Sequence, residues 1–111
     1  MYQLIIQPNA LEELDAAYKW LRSRAPEAAA KWFNGFVAAL EQLRTSPESF
    51  GSVLDVRGLP YPIRELLYGK RQHKYRAFFT IVGEEVHVLH VRHGARRTWN
   101  PKNLPSFDPP Q

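Results

Sequence analysis

The segment 63–91 contains three strand-like runs separated by short turns, and it limits the possible folds more than any other part of the chain. The runs span residues 63–68, 75–81 and 86–91, and aromatic and β-branched residues are frequent in them. A basic turn joins the first two runs, and a hairpin turn containing Gly83 joins the last two. Because short turns connect antiparallel neighbours, the sequence predicts a three-stranded antiparallel meander.

The chain before this segment predicts one strand and a first helix. Residues 2–7 form a short apolar run that ends at Pro8. Asn9 is the expected N-cap of the helix, and Glu12 completes a capping box with it. Apolar residues then recur at spacings of three and four, which predicts one apolar stripe made of Leu11, Leu14, Tyr18 and Leu21.

A second helix is predicted to begin at Pro26, since proline is favoured at the first helical position. Gly35 lies inside this helix, where we expect it to let another backbone come close. The connection to the first helix is short, so the two helices should form an antiparallel hairpin. The apolar stripe of the second helix consists of Ala29, Phe33, Phe36, Leu40 and Leu43, and Trp32 and Val37 widen it.

This order of elements predicts an α+β fold in which the helical hairpin packs on one face of a largely antiparallel sheet. A chain of 111 residues suits one domain, which we place at residues 1–100. Residues 101–111 are rich in proline and are expected to form a C-terminal tail. Alternation along the run 75–81 places Arg76, Phe78 and Thr80 on the sheet face away from the helices.

Positive charge is concentrated in residues 64–97. This stretch holds eight of the fifteen Lys and Arg residues, three of the eleven Asp and Glu residues and all four histidines, which gives it a local balance of +5. A cationic sheet face is a surface for an anionic partner such as nucleic acid or an acidic protein.

Several classes of chemistry have no support in the sequence. The chain contains no cysteine, which excludes disulfides, thiolate catalysis and cysteine-based zinc sites. It has no GxxxxGK[ST] or GxGxxG phosphate-binding loop, and no cofactor is expected. It also has no GxSxG elbow, so serine hydrolase chemistry has no support. The N-terminus lacks a signal-peptide pattern, and no apolar segment approaches the roughly 18 residues that span a bilayer. We therefore expect a cytoplasmic protein without a membrane partner.

The histidines of the last strand do not predict a metal site. His87, His90 and His93 are spaced by three, and residues three apart on a strand point to opposite faces.

The arginines at the strands leave two readings open. Arg64, Arg76 and Arg96 lie in or at the ends of three successive strands, so their guanidinium groups can converge on one phosphate. In the alternative, Arg76 pairs with Glu65 across the sheet, while Arg96 and Arg97 are solvated charges at the strand end.

The segments RELLYGKRQHKYRAFFTI and VHVLHVRHGARR resemble the C-terminal half of toxins in the RelE/ParE superfamily of bacterial toxin–antitoxin systems. The residues that carry the resemblance are Tyr75-Arg76 opening a hydrophobic strand, a short acidic hairpin, and VRHGAR at 91–96 closing the last strand. NALEEL at 9–14 is similar to the first-helix opening of the family. The resemblance covers about residues 2–97, and it implies a toxin of a type II (plasmid stabilisation) system that a cognate antitoxin binds and neutralises in a hetero-oligomer.

The resemblance implies one of two activities. RelE-like members cleave messenger RNA on the ribosome, whereas ParE-like members poison DNA gyrase. In the RelE-like pattern two arginines stabilise phosphate charge, and these match Arg76 and Arg96 in this sequence. His93 is the nearby side chain that titrates close to neutrality, so an endoribonuclease of this kind would use Arg76, Arg96 and His93 as its catalytic residues.

The sequence departs from the RelE-like pattern at its other positions. Leu67 and Gly69 stand where the lysines of that pattern belong, and Lys70 and Arg71 are only nearby. The closest aromatic residue to the C-terminal catalytic position is Trp99, which cannot transfer a proton. We therefore expect a ParE-like toxin directed against gyrase. The alternatives are a ribosome-dependent endoribonuclease and a non-toxic nucleic-acid-binding module.

The residues expected to contact the antitoxin or nucleic acid are the basic side chains and one tyrosine of this region: Arg64, Lys70, Arg71, Tyr75, Arg76, Arg92, Arg96 and Arg97.

Overall fold

The computed structural model describes residues 1–53, 58–70, 74–94 and 104–107. Its helices and strands are, in chain order, β1 (Gln3–Ile6), α1 (Pro8–Arg22), α2 (Pro26–Glu41), β2 (Arg64–Tyr68), β3 (Tyr75–Val82) and β4 (Glu85–His93). Two short 3₁₀ helices follow α2, at Gln42–Arg44 and Pro47–Ser49. The predicted α+β order of strand, helical hairpin and three further strands is confirmed. Within the described residues, no helix is both long and apolar enough to cross a membrane.

The four strands form one mixed sheet in the order β1-β4-β3-β2. Strand β3 is antiparallel to both β2 and β4, as the meander prediction requires. Strand β1 lies parallel to β4 at the edge, with Gln3 opposite Glu85 and Ile6 opposite Val88. A parallel partner needs a long crossover, so the pairing of β1 with the last strand could not be read from local turn signals.

Helix α1 begins one residue before the predicted cap. Pro8 occupies the first turn, and Gln7 is the N-cap residue in an extended conformation with no side-chain hydrogen bond to the helix. The capping box predicted at Asn9 and Glu12 is therefore wrong. Proline decides the start because its fixed φ is already helical and its missing N–H would have had no partner in the first turn. Pro26 begins α2 in the same way, as predicted.

Both helices pack on one face of the sheet and enclose the main core. Helix α1 contributes buried Ala10 and Leu14, whereas Leu11, which was predicted to belong to its apolar stripe, is 55% exposed. The sheet contributes residues such as Phe79 and Val88. Trp32 is buried at the centre of the α2 contact, whereas Val37 is 36% exposed, so only one of the two residues expected to widen the stripe does so. The buried residues of α2 are Ala29, Trp32, Phe36 and Leu40.

At Gly35, helix α2 comes close to a side chain of strand β2. A β-carbon at this position would overlap the hydroxyl group of Tyr68 on β2. The sequence predicted close approach of a backbone, but the neighbour is a side chain. The Tyr68 ring continues into the core, where its centroid lies 4.8 Å from that of Phe36.

The opposite face of the sheet, which we call the distal face, is partly covered by loop residues. Val53, Ile63, Phe78 and Leu89 form a second buried cluster there. Leu59, Tyr61, Leu104 and Phe107 pack against this cluster, so part of the segment expected to be a tail contacts the sheet. The hydroxyl of Tyr61 donates a hydrogen bond of 2.8 Å to the carbonyl of Pro105.

Candidate functional site

The polar part of the distal face is organised around two arginines on neighbouring strands. Arg76 of β3 lies directly opposite Arg92 of β4 in the strand register. Like charges placed opposite each other destabilise a sheet unless they are compensated. Here each arginine has a carboxylate partner on its outer side, and together these residues form what we call the polar row: Glu65, Arg76, Arg92 and Glu13.

Arg76 is buried and held by Glu65 of β2. Its Nε donates to Glu65 Oε2 over 2.7 Å, and its Nη2 lies 2.7 Å from the same oxygen. The guanidinium carbon also lies 4.7 Å from the ring centroid of Phe78. Of the two readings that the sequence left open, the structure therefore shows the pairing of Arg76 with Glu65 across the sheet.

Glu13 of α1 is the carboxylate of the site with the most polar partners. It was not among the residues predicted from the sequence. Its Oε1 accepts a hydrogen bond of 3.0 Å from the backbone N–H of Val91 and lies 3.1 Å from Nδ1 of His90. Its Oε2 accepts a hydrogen bond from Nη1 of Arg92. The available signal was its position directly before Leu14, because an acid on the flank of a buried helix stripe lies close to the sheet.

His87 of β4, like His90, is held by hydrogen bonds to polar neighbours. His87 accepts a hydrogen bond at Nδ1 from Gln7 Nε2 over 2.8 Å, since the amide nitrogen can only donate. Its Nε2 therefore carries the proton and donates to Glu85 Oε1 over 3.0 Å. The ring also packs against Phe107 at 4.8 Å between centroids. Among the described residues, no three metal-ligating side chains form a group that could hold a metal ion.

The junction between the start of β3 and the end of β4 is tightly closed. The N–H of Gly94 donates to the carbonyl of Lys74 over 2.6 Å. A β-carbon at Gly94 would lie only 2.9 Å from that oxygen, so the close approach requires glycine. Beside it, the ring centroids of Tyr75 and His93 lie 5.1 Å apart. Tyr75 also packs against Trp32 on the helix side, and burial raises the pKa of its hydroxyl.

Arg64 braces a loop and does not join Arg76. Its Nη1 donates to the carbonyls of Phe50 at 2.6 Å and Glu48 at 3.2 Å. In the strand register Arg64 lies opposite Phe79, which belongs to the main core, so it is on the helix side of the sheet. The reading in which Arg64 and Arg76 converge on one phosphate, one of the two that the sequence left open, is therefore not supported by this arrangement.

The remaining predicted contact residues fall into two groups. Lys70 is exposed two residues after the end of β2, and the Arg92 side chain is 37% exposed in the polar row. Arg71, Arg96 and Arg97 lie outside the described residues.

Comparison with known proteins assigns this architecture to a family. The family model described as ParE toxin of type II toxin-antitoxin system, parDE, matches residues 4–98. Among solved structures, the chain is similar to the chromosomal ParDE TA system from P. aeruginosa, with a TM-score of 0.68 and 23% sequence identity over 84% of this chain and 96% of that chain. No curated protein gives a significant match. The chain belongs to the ParE toxin family and is the toxin component of a type II toxin–antitoxin system, with a cognate antitoxin as its partner.

Proposed function

We propose that this toxin inhibits growth by acting on DNA gyrase and not by cleaving messenger RNA. The observation that carries the proposal is the ion pair between Arg76 and Glu65. Arg76 is the residue that a RelE-like nuclease would need for stabilising a phosphate in the transition state. In this toxin its charge is already compensated by a carboxylate of the same chain.

The chemistry of RNA cleavage is the reason why this pairing supports the proposal. Attack by the 2′-hydroxyl requires a base, an acid and a group that stabilises the negative phosphorane. If Arg76 turned toward a phosphate, the carboxylate of Glu65 would be left partly buried without its cation, and an uncompensated buried charge is costly. A nuclease benefits from a preorganised free cation at this position, which favours a binding role for the sheet surface.

The surface beside Arg76 suits contact with a protein. Leu67 of β2 lies opposite Arg76 in the register and is 57% exposed, and Arg92 lies on the other side of Arg76. The row across the three strands thus presents an exposed apolar residue, a neutralised arginine and a partly exposed arginine. Interfaces between proteins combine apolar contacts with arginine in this manner.

The antitoxin is expected to cover part of the same surface. Arg64 is bound to a loop on the helix side and the Arg76 side chain is only 11% exposed, whereas Lys70 is exposed and the Arg92 side chain is 37% exposed. Acidic residues of the antitoxin would therefore meet Lys70 and Arg92. This refines the set of contact residues predicted from the sequence. Charge reversal at Lys70 tests it: K70E should weaken neutralisation by the co-expressed antitoxin, and unchanged neutralisation would contradict a contact at Lys70.

A neutral replacement of the buried pair separates the two possible targets. The double variant E65Q/R76M removes both charges together, so it avoids an unpaired charge, and the gyrase proposal predicts that it still arrests growth. The ribonuclease alternative predicts that the double variant is inactive. Plasmid supercoiling and transcript integrity are measured in the same induced cultures, so the target is identified independently of the variant.

A further inference from the structure

Strand β1 is shorter than its neighbour β4, and this leaves part of an inner strand without a strand beside it. The parallel pairing ends with Ile6 opposite Val88, after which the N–H of Gln7 donates to the Val88 carbonyl. Strand β4 continues to His93. Its edge beyond Val88 therefore needs another partner, because buried backbone N–H groups are almost always hydrogen-bonded.

Glu13 supplies a hydrogen-bond partner for this part of β4. Its Oε1 accepts the N–H of Val91, and the same carboxylate binds the side chains of His90 and Arg92. One side chain of α1 thus fixes the backbone of β4 and the orientation of Arg92 together. Glu12, the preceding acid on the same helix, is exposed and serves as a natural comparison.

Arg92 is the member of the polar row that can bind a further group. A guanidinium has five N–H donors, and the bond to Glu13 uses one nitrogen, Nη1. The side chain is 37% exposed, whereas that of Arg76 is 11% exposed. Arg92 therefore keeps hydrogen-bond donors at the surface, while Glu13 fixes the orientation of its side chain.

We propose that Arg92 contacts the target of the toxin directly and that Glu13 is the positioning residue that holds it for that contact. The group on the target is a carboxylate or a carbonyl oxygen, which the guanidinium recognises through its N–H donors. Arginine is enriched among the residues that dominate protein interfaces, and a side chain already held in its bound direction loses less entropy on binding. This inference rests on the proposed function in taking the target to be gyrase.

The test uses three variants and two matched controls. The variants are E13Q, R92M and the double variant E13Q/R92M. The controls are E12Q on the exposed face of α1 and R44M, which breaks the surface pair with Glu41 at a side chain of comparable exposure, 38%. Glutamine at position 13 keeps an oxygen for the N–H of Val91, and circular dichroism with thermal unfolding checks that each variant is folded.

Non-additivity is the readout that a purely structural Glu13 would not produce. We expect R92M to weaken growth inhibition and gyrase inhibition by about tenfold or more, and E13Q to weaken them by a smaller factor. The double variant should match R92M alone, because Glu13 acts through Arg92. E12Q and R44M should match the unchanged toxin.

Three results would overturn the inference. The first is a folded R92M toxin with full activity. The second is a double variant in which the two losses multiply, since Glu13 would then act independently of Arg92. The third is an R92M toxin that keeps full activity against its target and loses only its response to the antitoxin, which would make Arg92 a contact of the antitoxin alone. If the unchanged toxin does not inhibit gyrase at all, the proposed function fails, and the growth measurements still decide the roles of Glu13 and Arg92.

Discussion

Arg76 and Glu65 lie on adjacent strands, and two nitrogens of the guanidinium reach the same carboxylate oxygen at 2.7 Å. Because both side chains are largely removed from solvent, the loss of one partner leaves the other uncompensated. We predict that R76A lowers the free energy of unfolding by about 2–3 kcal/mol. This value is at or below the lower end of the range for buried pairs, because the Glu65 side chain is 25% exposed. Urea denaturation measures this value.

The matched control for this prediction is E65Q/R76M, which removes both charges. It should cost clearly less stability than R76A, since no charge is left alone. A toxin in which R76A is fully stable but inactive would contradict the structural role and would restore Arg76 to a catalytic one.

The second prediction concerns the contact between α2 and β2 at Gly35. Alanine would gain about 1 kcal/mol of helix propensity, but its β-carbon would overlap the Tyr68 hydroxyl. We expect G35A to destabilise the protein by about 1–3 kcal/mol because the core cannot absorb the overlap without shifting. The double variant G35A/Y68F should recover most of the loss, and Y68F alone serves as the control. No recovery in the double variant would mean that another neighbour limits the space at Gly35.

The third prediction concerns the closure of β4 at Gly94. A β-carbon there would lie 2.9 Å from the carbonyl oxygen of Lys74, which is backbone and cannot rotate away. We predict that G94A lowers the free energy of unfolding by about 1–3 kcal/mol, whereas G51A, where a β-carbon meets nothing within 4 Å, changes it by less. Equal effects of the two substitutions in thermal unfolding would show that the hydrogen bond between Gly94 and Lys74 is not a fixed contact.

The sequence predicted those features that depend on local patterns. Most of the helix stripe positions, the turn signals and the proline at the start of α2 are set by neighbouring residues, and the order of elements followed from them. Leu11 and Val37 are the exceptions in the stripes, because both are exposed. The pairing of Arg76 with Glu65 was also foreseen as one of two possibilities, because strand spacing brings such residues together.

The missed features are those in which distant segments meet. The parallel pairing of β1 with β4, the contacts of Glu13 with the end of β4, and the packing of Phe107 on the distal face each join residues far apart in the chain. A single sequence carries no local signal for such contacts. The wrong cap at Asn9 has a different cause, since the strong preference of Pro8 for the first helical turn outweighed the capping-box pattern.

The fourth prediction uses the pH dependence of stability at Tyr61. Burial raises the pKa of its hydroxyl above the ordinary value of 10.0, and this hydroxyl donates to the Pro105 carbonyl. The folded state is therefore favoured while Tyr61 is protonated, and that stability is present below about pH 10 and is lost as the pH rises through the raised pKa. The free energy of unfolding of Y61F should therefore fall less steeply with rising pH on the alkaline side.

Urea unfolding of Y61F and the unchanged protein between about pH 8 and pH 11 measures this difference. Tyr75 also has a pKa raised by burial, so only the difference between the two proteins reports on Tyr61. Identical alkaline slopes would show that Tyr61 is equally exposed in the folded and unfolded states.

The target of the toxin is decided most directly by a supercoiling assay. Purified toxin is added to DNA gyrase and relaxed plasmid, and in parallel to a translation reaction in which transcript integrity is followed. We predict that the toxin blocks supercoiling by gyrase and leaves the transcripts intact, and that added antitoxin restores supercoiling. Cleaved transcripts together with normal supercoiling would contradict the proposal and would identify the toxin as a ribonuclease.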